Sequence, residues 1–318
     1  MFCGDKMKRE NTIEQFYDYF DRIAMHLYEV NKNPYLESMN LAFQYLLEDE
    51  MDFPLDEESK KFVQEEKQKV TDIAFQPEDI RKAVQLGLLK GYKHMNVSNA
   101  FLTPDTIGLF MSYLIKKLYK EPIKFILDPM IGTGNLVYTI LNDLKQDAKV
   151  LGVDLDPLKC ELARNLGDLM DYENQIFMQD TRSFFANEMD LIVFDLPIQE
   201  ETNPYVPYQV ISHHLDTLAS EKFMFVVIEN NFFEQPKMDV FKKELDEKAH
   251  MFGLIKLSDT LFKNAEKSIL ILQKKKEKED KLEDFLLIDL PSFEDQEGMA
   301  STIQQIELWF QRRKDENE

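Results

Sequence analysis

Cysteine is scarce in this sequence: Cys3 and Cys160 are the two present, and they lie far apart. Two such thiols make no disulfide framework, and neither falls in a metal-ligand spacing, so a reducing, cytoplasmic setting is the simple expectation. Long apolar runs are also missing. Stretches such as Phe223 to Ile228 are far too short to cross a bilayer, and Met1 to Asn11 lacks the apolar core of a signal peptide. Positive charge is in deficit, with a formal net charge of −21. That opposes binding to a phosphate backbone unless a local basic cleft or a partner protein supplies the attraction. No Ser/His/Asp order suggests a hydrolase. His213 and His214 are neighbours on an expected helix and point in different directions, so no metal site is expected.

What is present is a globular composition, 44% hydrophobic over 318 residues, enough for one large domain or two. Residues 1–95 read as a helical domain. Phe16, Phe20, Ile23 and Leu27 form one apolar stripe, and Asn11 with Glu14 resembles a capped helix start. Leu36 to Leu47 and Phe62 to Ile73 continue the helical pattern, Pro54 separates segments, and Pro77 opens a helix with Gly91 near its end.

From residue 96 the texture changes. A helix from Pro104 to Tyr119 leads into the apolar run Phe125 to Leu127, and strands then alternate with helices. Strands are expected at Val150–Val153, Gln175–Met178, Leu191–Phe194, Phe223–Ile228, Gly253–Leu257 and Ser268–Leu272. Helices are expected at Leu136–Leu144, Pro157–Met170, Tyr208–Leu218 and Met238–Lys248. Such alternation implies crossover connections and a mainly parallel sheet, with the last two strands as an antiparallel edge pair. Residues 277–318 read as a charged connector followed by a strand, Phe285–Ile288, and a helix, Thr302–Phe310.

The sharpest segment is Asp128-Pro129-Met130-Ile131-Gly132-Thr133-Gly134-Asn135, between a strand and a helix. Glycines there let the backbone turn tightly, and the helix N-terminus offers N–H groups to an anion. Asp154, 20 residues past Gly134, ends the next strand, where an acid can accept from a ribose diol. Asp180, followed by Thr181, ends the third strand and suits an adenine amino group. Asp156 before Pro157 reads as a helix cap. The fourth strand ends Asp195-Leu196-Pro197-Ile198.

With these residues the chain resembles the N6-adenine DNA methyltransferases, above all the modification-subunit group of type I restriction systems. The likeness spans about residues 96–276 and includes Phe101-Leu102-Thr103-Pro104, the Asp128–Gly134 loop, and Leu261-Phe262 followed by Lys267 to Lys274. The resemblance implies a Rossmann-like class I methyltransferase domain, α/β with a mainly parallel seven-stranded sheet and an antiparallel edge hairpin, behind the α-helical N-terminal domain. It implies S-adenosyl-L-methionine as cofactor, held by Thr103, Asp128, Pro129, Gly132, Thr133, Gly134, Asn135, Asp154, Leu155, Asp180 and Thr181. It implies that Asp195, Leu196, Pro197 and Ile198 face a DNA adenine. The family's other proline, ahead of Pro197, and its aromatic are here Leu196 and Ile198, so stacking on the base would fall to Tyr205 or Tyr208, unless these only pack the loop and helix start. Two other readings remain: a cofactor-binding protein that acts through partners without catalysis, and an NAD-dependent oxidoreductase, which would lack its third glycine because Val137 stands there.

Overall fold

A computed structural model describes residues 3–48, 55–96, 102–197, 206–261, 266–276 and 284–315. Pro54, Phe101, Ile198, Tyr205 and Phe262 lie outside the described residues.

Four helices come first: α1 (Cys3–Val30), α2 (Tyr35–Leu47), α3 (Glu57–Gln68) and α4 (Pro77–His94). The first begins well before Asn11, which is therefore an interior residue and not a cap. The run from Cys3 to Glu10 contains no proline and is rich in helix-tolerant Lys, Met, Arg and Glu, so nothing stops the helix there. The third helix is set earlier than the apolar pattern suggested, because Asp56 caps it by accepting from the Ser59 N–H at 2.8 Å. Proline opens α4 as expected.

The remaining elements are α5 (Asp105–Leu118), β1 (Phe125–Asp128), α6 (Asn135–Leu144), β2 (Lys149–Asp154), α7 (Pro157–Leu169), β3 (Asn174–Met178), β4 (Met189–Asp195), α8 (Val206–Thr217), β5 (Leu218–Glu229), α9 (Met238–Lys248), β6 (Ala249–Lys256), β7 (Lys267–Lys274), β8 (Leu286–Asp289) and α10 (Gln296–Asp315). The strands form one sheet in the order β3-β2-β1-β4-β5-β7-β6-β8. β1 to β5 pair in parallel, and β7 is antiparallel to both β5 and β6. An eighth strand therefore joins the seven expected, and the β6–β7 hairpin is not the edge. β8 pairs in parallel with β6, Gly253 opposite Leu286, because its alternate residues Leu286 and Ile288 have an apolar layer to enter.

Both faces of the sheet are covered, which is why its strands read as unbroken apolar runs. Successive residues alternate between two cores. Ile126, Leu191, Val193, Phe223 and Phe225 join the side bearing α1 to α7 and α10. Leu127, Ile192, Phe194, Met224 and Val226 join the side bearing α8 and α9. The helical region docks on the first side partly through polar contacts, where Asn40 donates to Glu161 at 2.8 Å and accepts from Asn165 at 2.8 Å. Among the described residues no helix is long and apolar enough to cross a membrane.

Candidate cofactor and target site

The order β3-β2-β1-β4 brings Asp180, Asp154, Asp128 and Asp195 to neighbouring strand ends, beside the point where the chain reverses its direction of sheet growth. The loop after β1 is folded by its own backbone and by β2. Gly134 N–H donates to the Ile131 carbonyl at 2.8 Å, and Ile131 N–H donates to the Val153 carbonyl at 3.0 Å. Gly132 has φ 53° and Gly134 φ 82°, both left-handed. A side chain at Gly134 would meet the Tyr138 ring at 2.5 Å, whereas one at Gly132 would meet nothing within 4 Å. The second glycine is thus required by packing, and the first faces open space where a ligand can approach the backbone.

Asp154 ties this loop to the next one. Its Oδ2 accepts from Gly132 N–H at 3.1 Å and its Oδ1 from Asp156 N–H at 2.9 Å. Each carboxylate oxygen keeps a lone pair for a hydroxyl. Asp156 caps α7 as the sequence suggests. Leu155 is 71% exposed, Met178 61% and Phe185 76%, so the ends of β2 and β3 offer bare apolar surface to a flat ring. Asp128 is buried; its Oδ1 accepts from Met130 N–H at 3.1 Å. Burial, with Asp154 and Asp195 nearby, holds its carboxyl well above the usual carboxylate range.

Asp180 is committed differently from the sequence expectation. It caps a short turn, and both its oxygens bond the Arg182 guanidinium, Oδ1 at 3.0 Å and Oδ2 at 2.6 Å. Arg182 holds its carboxyl down at about 2. Any adenine contact would use its remaining lone pairs. The Thr181 hydroxyl lies 2.7 Å from His214 Nε2. Burial and the neighbouring His213 push His214 down to about 3, and its Nδ1 has no partner among the described residues.

At the fourth tip the Asp195 carboxylate is engaged on both oxygens. Thr103 Oγ1 donates to Oδ2 at 2.8 Å, and Lys267 Nζ donates to Oδ1 at 2.6 Å and to the Leu196 carbonyl at 3.5 Å. Burial pushes Asp195 up while Lys267 and Thr103 oppose it. Leu196 is buried and Pro197 exposed. Tyr208 is not available for stacking on a base, since its hydroxyl donates to the Phe232 carbonyl and its ring stacks on Phe241 at 4.5 Å.

Behind the cofactor loop stands Arg81 of α4, with a fully buried side chain. All five of its N–H donors are used. Two meet Glu78 at 2.7 and 2.8 Å, two meet Asp105 at 2.9 and 3.0 Å, and one meets Asn135 Oδ1 at 2.8 Å. Asn135 Nδ2 then donates to the Thr103 carbonyl at 2.9 Å. Tyr92 of the same helix lies beside Thr133, and burial raises its hydroxyl. A continuous path therefore runs from Arg81 through Asn135 and Thr103 to Asp195 and Lys267. The sequence reading missed both basic ends. Arg81 could have been noticed, because it sits at i, i+3 and i+7 with Val84 and Leu88 on the apolar stripe of α4. Lys267 carries no such signal, since a lysine at a strand start is ordinary.

Two family models match. One, described as the YtxK N-terminal helical domain, covers residues 14–92. The other, described as N-6 DNA methylase, covers residues 194–318. The Bacillus subtilis protein YtxK is 30% identical over 96% of this chain and 100% of its own length. A solved Listeria monocytogenes protein, described as a candidate class I S-adenosylmethionine-dependent methyltransferase, is 28% identical with a TM-score of 0.84, over 94% of this chain and 99% of that one. A type I restriction-modification methyltransferase subunit from Streptococcus thermophilus shares the fold, with a TM-score of 0.62 and 14% identity over 93% of this chain and 74% of its own.

Proposed function

Because the chain belongs to the family of Bacillus subtilis YtxK, we propose that it is an S-adenosyl-L-methionine-dependent N-methyltransferase of the adenine-N6 DNA type, working in the cytoplasm. The carrying observation is that an open left-handed loop, a ribose-ready carboxylate and a paired amine acceptor share three adjacent strand ends, β2, β1 and β4.

The residues fit the cofactor. The space beside Gly132 admits a ligand against the backbone. The first-turn N–H groups of α6 suit the methionine carboxylate. Asp154 suits the ribose hydroxyls, and exposed Leu155 suits the adenine face. The bound cofactor supplies an electrophilic methyl on a sulfonium. The chain's part is to orient the nucleophile. An exocyclic adenine amine is weak because its lone pair is spread into the ring; Asp195 and the Leu196 carbonyl, accepting its two N–H bonds, localise that pair. Holding the amine in line then lowers the barrier by proximity. The net charge of −21 places the burden of DNA attraction on a local cleft or on a partner protein that also selects sequence.

Calorimetry tests the cofactor half: the protein binds S-adenosylmethionine and not NAD. Asp154→Ala, which releases both the Gly132 and Asp156 N–H groups, abolishes that binding; unchanged affinity rejects the site. Transfer of labelled methyl to unmethylated genomic DNA, lost in Asp195→Ala, tests the rest. One observation favours a second reading, binding without transfer: Lys267 already sits on Asp195. Cofactor binding with no transfer to DNA, RNA or protein extract would select it.

A further inference from the structure

The target side of the site contains a cation for which the proposed reaction has no use. Lys267 opens β7, directly across from Glu229 at the end of β5. Its side chain is only 3% exposed and passes the end of β5 to reach the tip of β4. There its ammonium meets Asp195 Oδ1 at 2.6 Å and lies 3.5 Å from the Leu196 carbonyl. These are the two oxygens assigned above to the target's amino group. The other Asp195 oxygen is taken by Thr103. Ordinary surface pairs in the same protein look different: Lys248 and Asp216, for example, are 29% and 59% exposed.

We propose that Lys267 is a selectivity determinant of the target pocket: its ammonium occupies the hydrogen-bonding positions of the acceptor amine, and a target amine enters only in exchange for it. This rests on the function proposed above. A charged ammonium bonds a carboxylate more strongly than a neutral aryl amine does. The exchange therefore rejects an amine that brings no further contacts to the base, and sets a threshold that a correctly seated target must exceed. The pair also explains why an aspartate can stand at this position beside a buried backbone: together the two charges cancel. Removing Lys267 alone leaves the Asp195 carboxylate without that countercharge. The double variant Asp195→Asn/Lys267→Met removes both and leaves an amide oxygen and the Leu196 carbonyl open.

The test uses the full chain saturated with S-adenosylhomocysteine. Fluorescence anisotropy compares its affinity for a thymidine oligonucleotide, whose base has no exocyclic amine, with the same oligonucleotide carrying interspersed adenines. In Lys267→Met and in the double variant the adenine-over-thymine ratio rises about tenfold, the worth of one charge-assisted hydrogen bond. Lys267→Arg, which keeps the charge, leaves the ratio near that of the unaltered protein. Loss of a cation acting only on phosphates would weaken both oligonucleotides alike, so it cannot imitate the gain. Should Lys267→Met fail to fold, the charge-balanced double variant decides the matter. A ratio unchanged or lowered, with S-adenosylhomocysteine still bound, overturns the proposal and leaves Lys267 as a structural support. Failure of the unaltered protein to bind S-adenosylhomocysteine rejects the cofactor site itself.

Discussion

The loop after β1 and the tip of β4 are neighbours, yet they are held from opposite directions. The loop is gripped from behind by α4, where Arg81 bonds Asn135, while the space beside Gly132 stays open. The β4 tip is gripped from in front, where Lys267 covers the acceptor face of Asp195 and Leu196. One end is braced and open beside Gly132; the other is satisfied by the protein's own cation. A pre-organised pocket binds without the cost of ordering its walls, whereas a pocket filled by a side chain binds by exchange. The helical region thereby acquires a role that its packing alone would not suggest: it forms the back wall of the proposed cofactor site.

The largest expected effect comes from breaking the brace. Arg81→Met takes the guanidinium from Asp105, 13% exposed, and from the more open Glu78, and leaves Asn135 Oδ1 with only the 3.5 Å donor of Gln85. Removing one partner of a buried pair costs about 3–5 kcal/mol, and because Lys82 still meets Asp105 the loss should fall at the low end, about 3 kcal/mol. Burial alone would raise Asp105, but Arg81 and Lys82 hold it well below the usual carboxylate range, so the cost falls on a group that stays charged. Urea unfolding would measure the loss, and calorimetry a weakened affinity for S-adenosylmethionine. Arg81→Lys recovers little, because an ammonium cannot reproduce five donors in a planar fork. A loss below about 1 kcal/mol, the range of an exposed ion pair, would show that the two ends are not held differently after all.

The asymmetry also marks what could be read in advance. The braced end is local in sequence: strand, Asp-Pro-x-x-Gly-Thr-Gly, helix, then an acid at the next strand tip. Backbone conformation and helix termini impose that pattern on nearby residues, so Asp128, Gly132, Gly134, Asp154 and the cap Asp156 were legible. The exchangeable end is assembled from residues far apart. Thr103 and Asp195 are 92 positions distant, and Lys267 and Asp195 72. No spacing rule links such residues, and the tertiary register of β5 and β7 decides that they meet. Arg182 is the instructive middle case. It stands two residues from Asp180, and it claims that carboxylate locally, where an adenine contact was expected. The parallel core strands showed as apolar runs, but β8 follows a charged stretch and its place beside β6 depends on tertiary pairing.

A smaller effect sharpens the cofactor side. His214 holds the Thr181 hydroxyl at the β3 tip, and burial lowers its imidazole from 6.5 to about 3. The folded state thus keeps it neutral, while the unfolded chain takes up a proton as pH drops below 6.5. Stability from this group is complete above that value and is lost as pH falls toward 3, at most roughly 1.4 kcal/mol per pH unit. Unfolding at pH 7 and pH 5 should differ by about 2 kcal/mol through this residue, and His214→Gln should remove that part of the slope. An unchanged slope would mean that His214 titrates normally and that the β3 tip is wet.

The smallest effect contrasts two acids at adjacent strand ends, the buried Asp128 and the partly exposed Asp195. Asp195 has a lysine; Asp128 has one backbone donor, Met130 N–H, and no cation bonded to it among the described residues. Its carboxyl is held well above the usual range, so the unfolded chain ionises first as pH rises. Stability from this group is greatest below about 3.9 and is lost between there and the raised folded-state value. Asparagine keeps the oxygen that Met130 needs and cannot ionise. Asp128→Asn should therefore stabilise the protein at pH 7 and do so less at pH 4, where the unfolded chain is itself half protonated. Asp195→Asn should do the reverse at pH 7, because it removes the carboxylate that the Lys267 ammonium bonds at 2.6 Å. If both substitutions shift urea unfolding in the same direction, the two ends of the site share one electrostatic design, and the division between a braced pocket and an exchanged one fails.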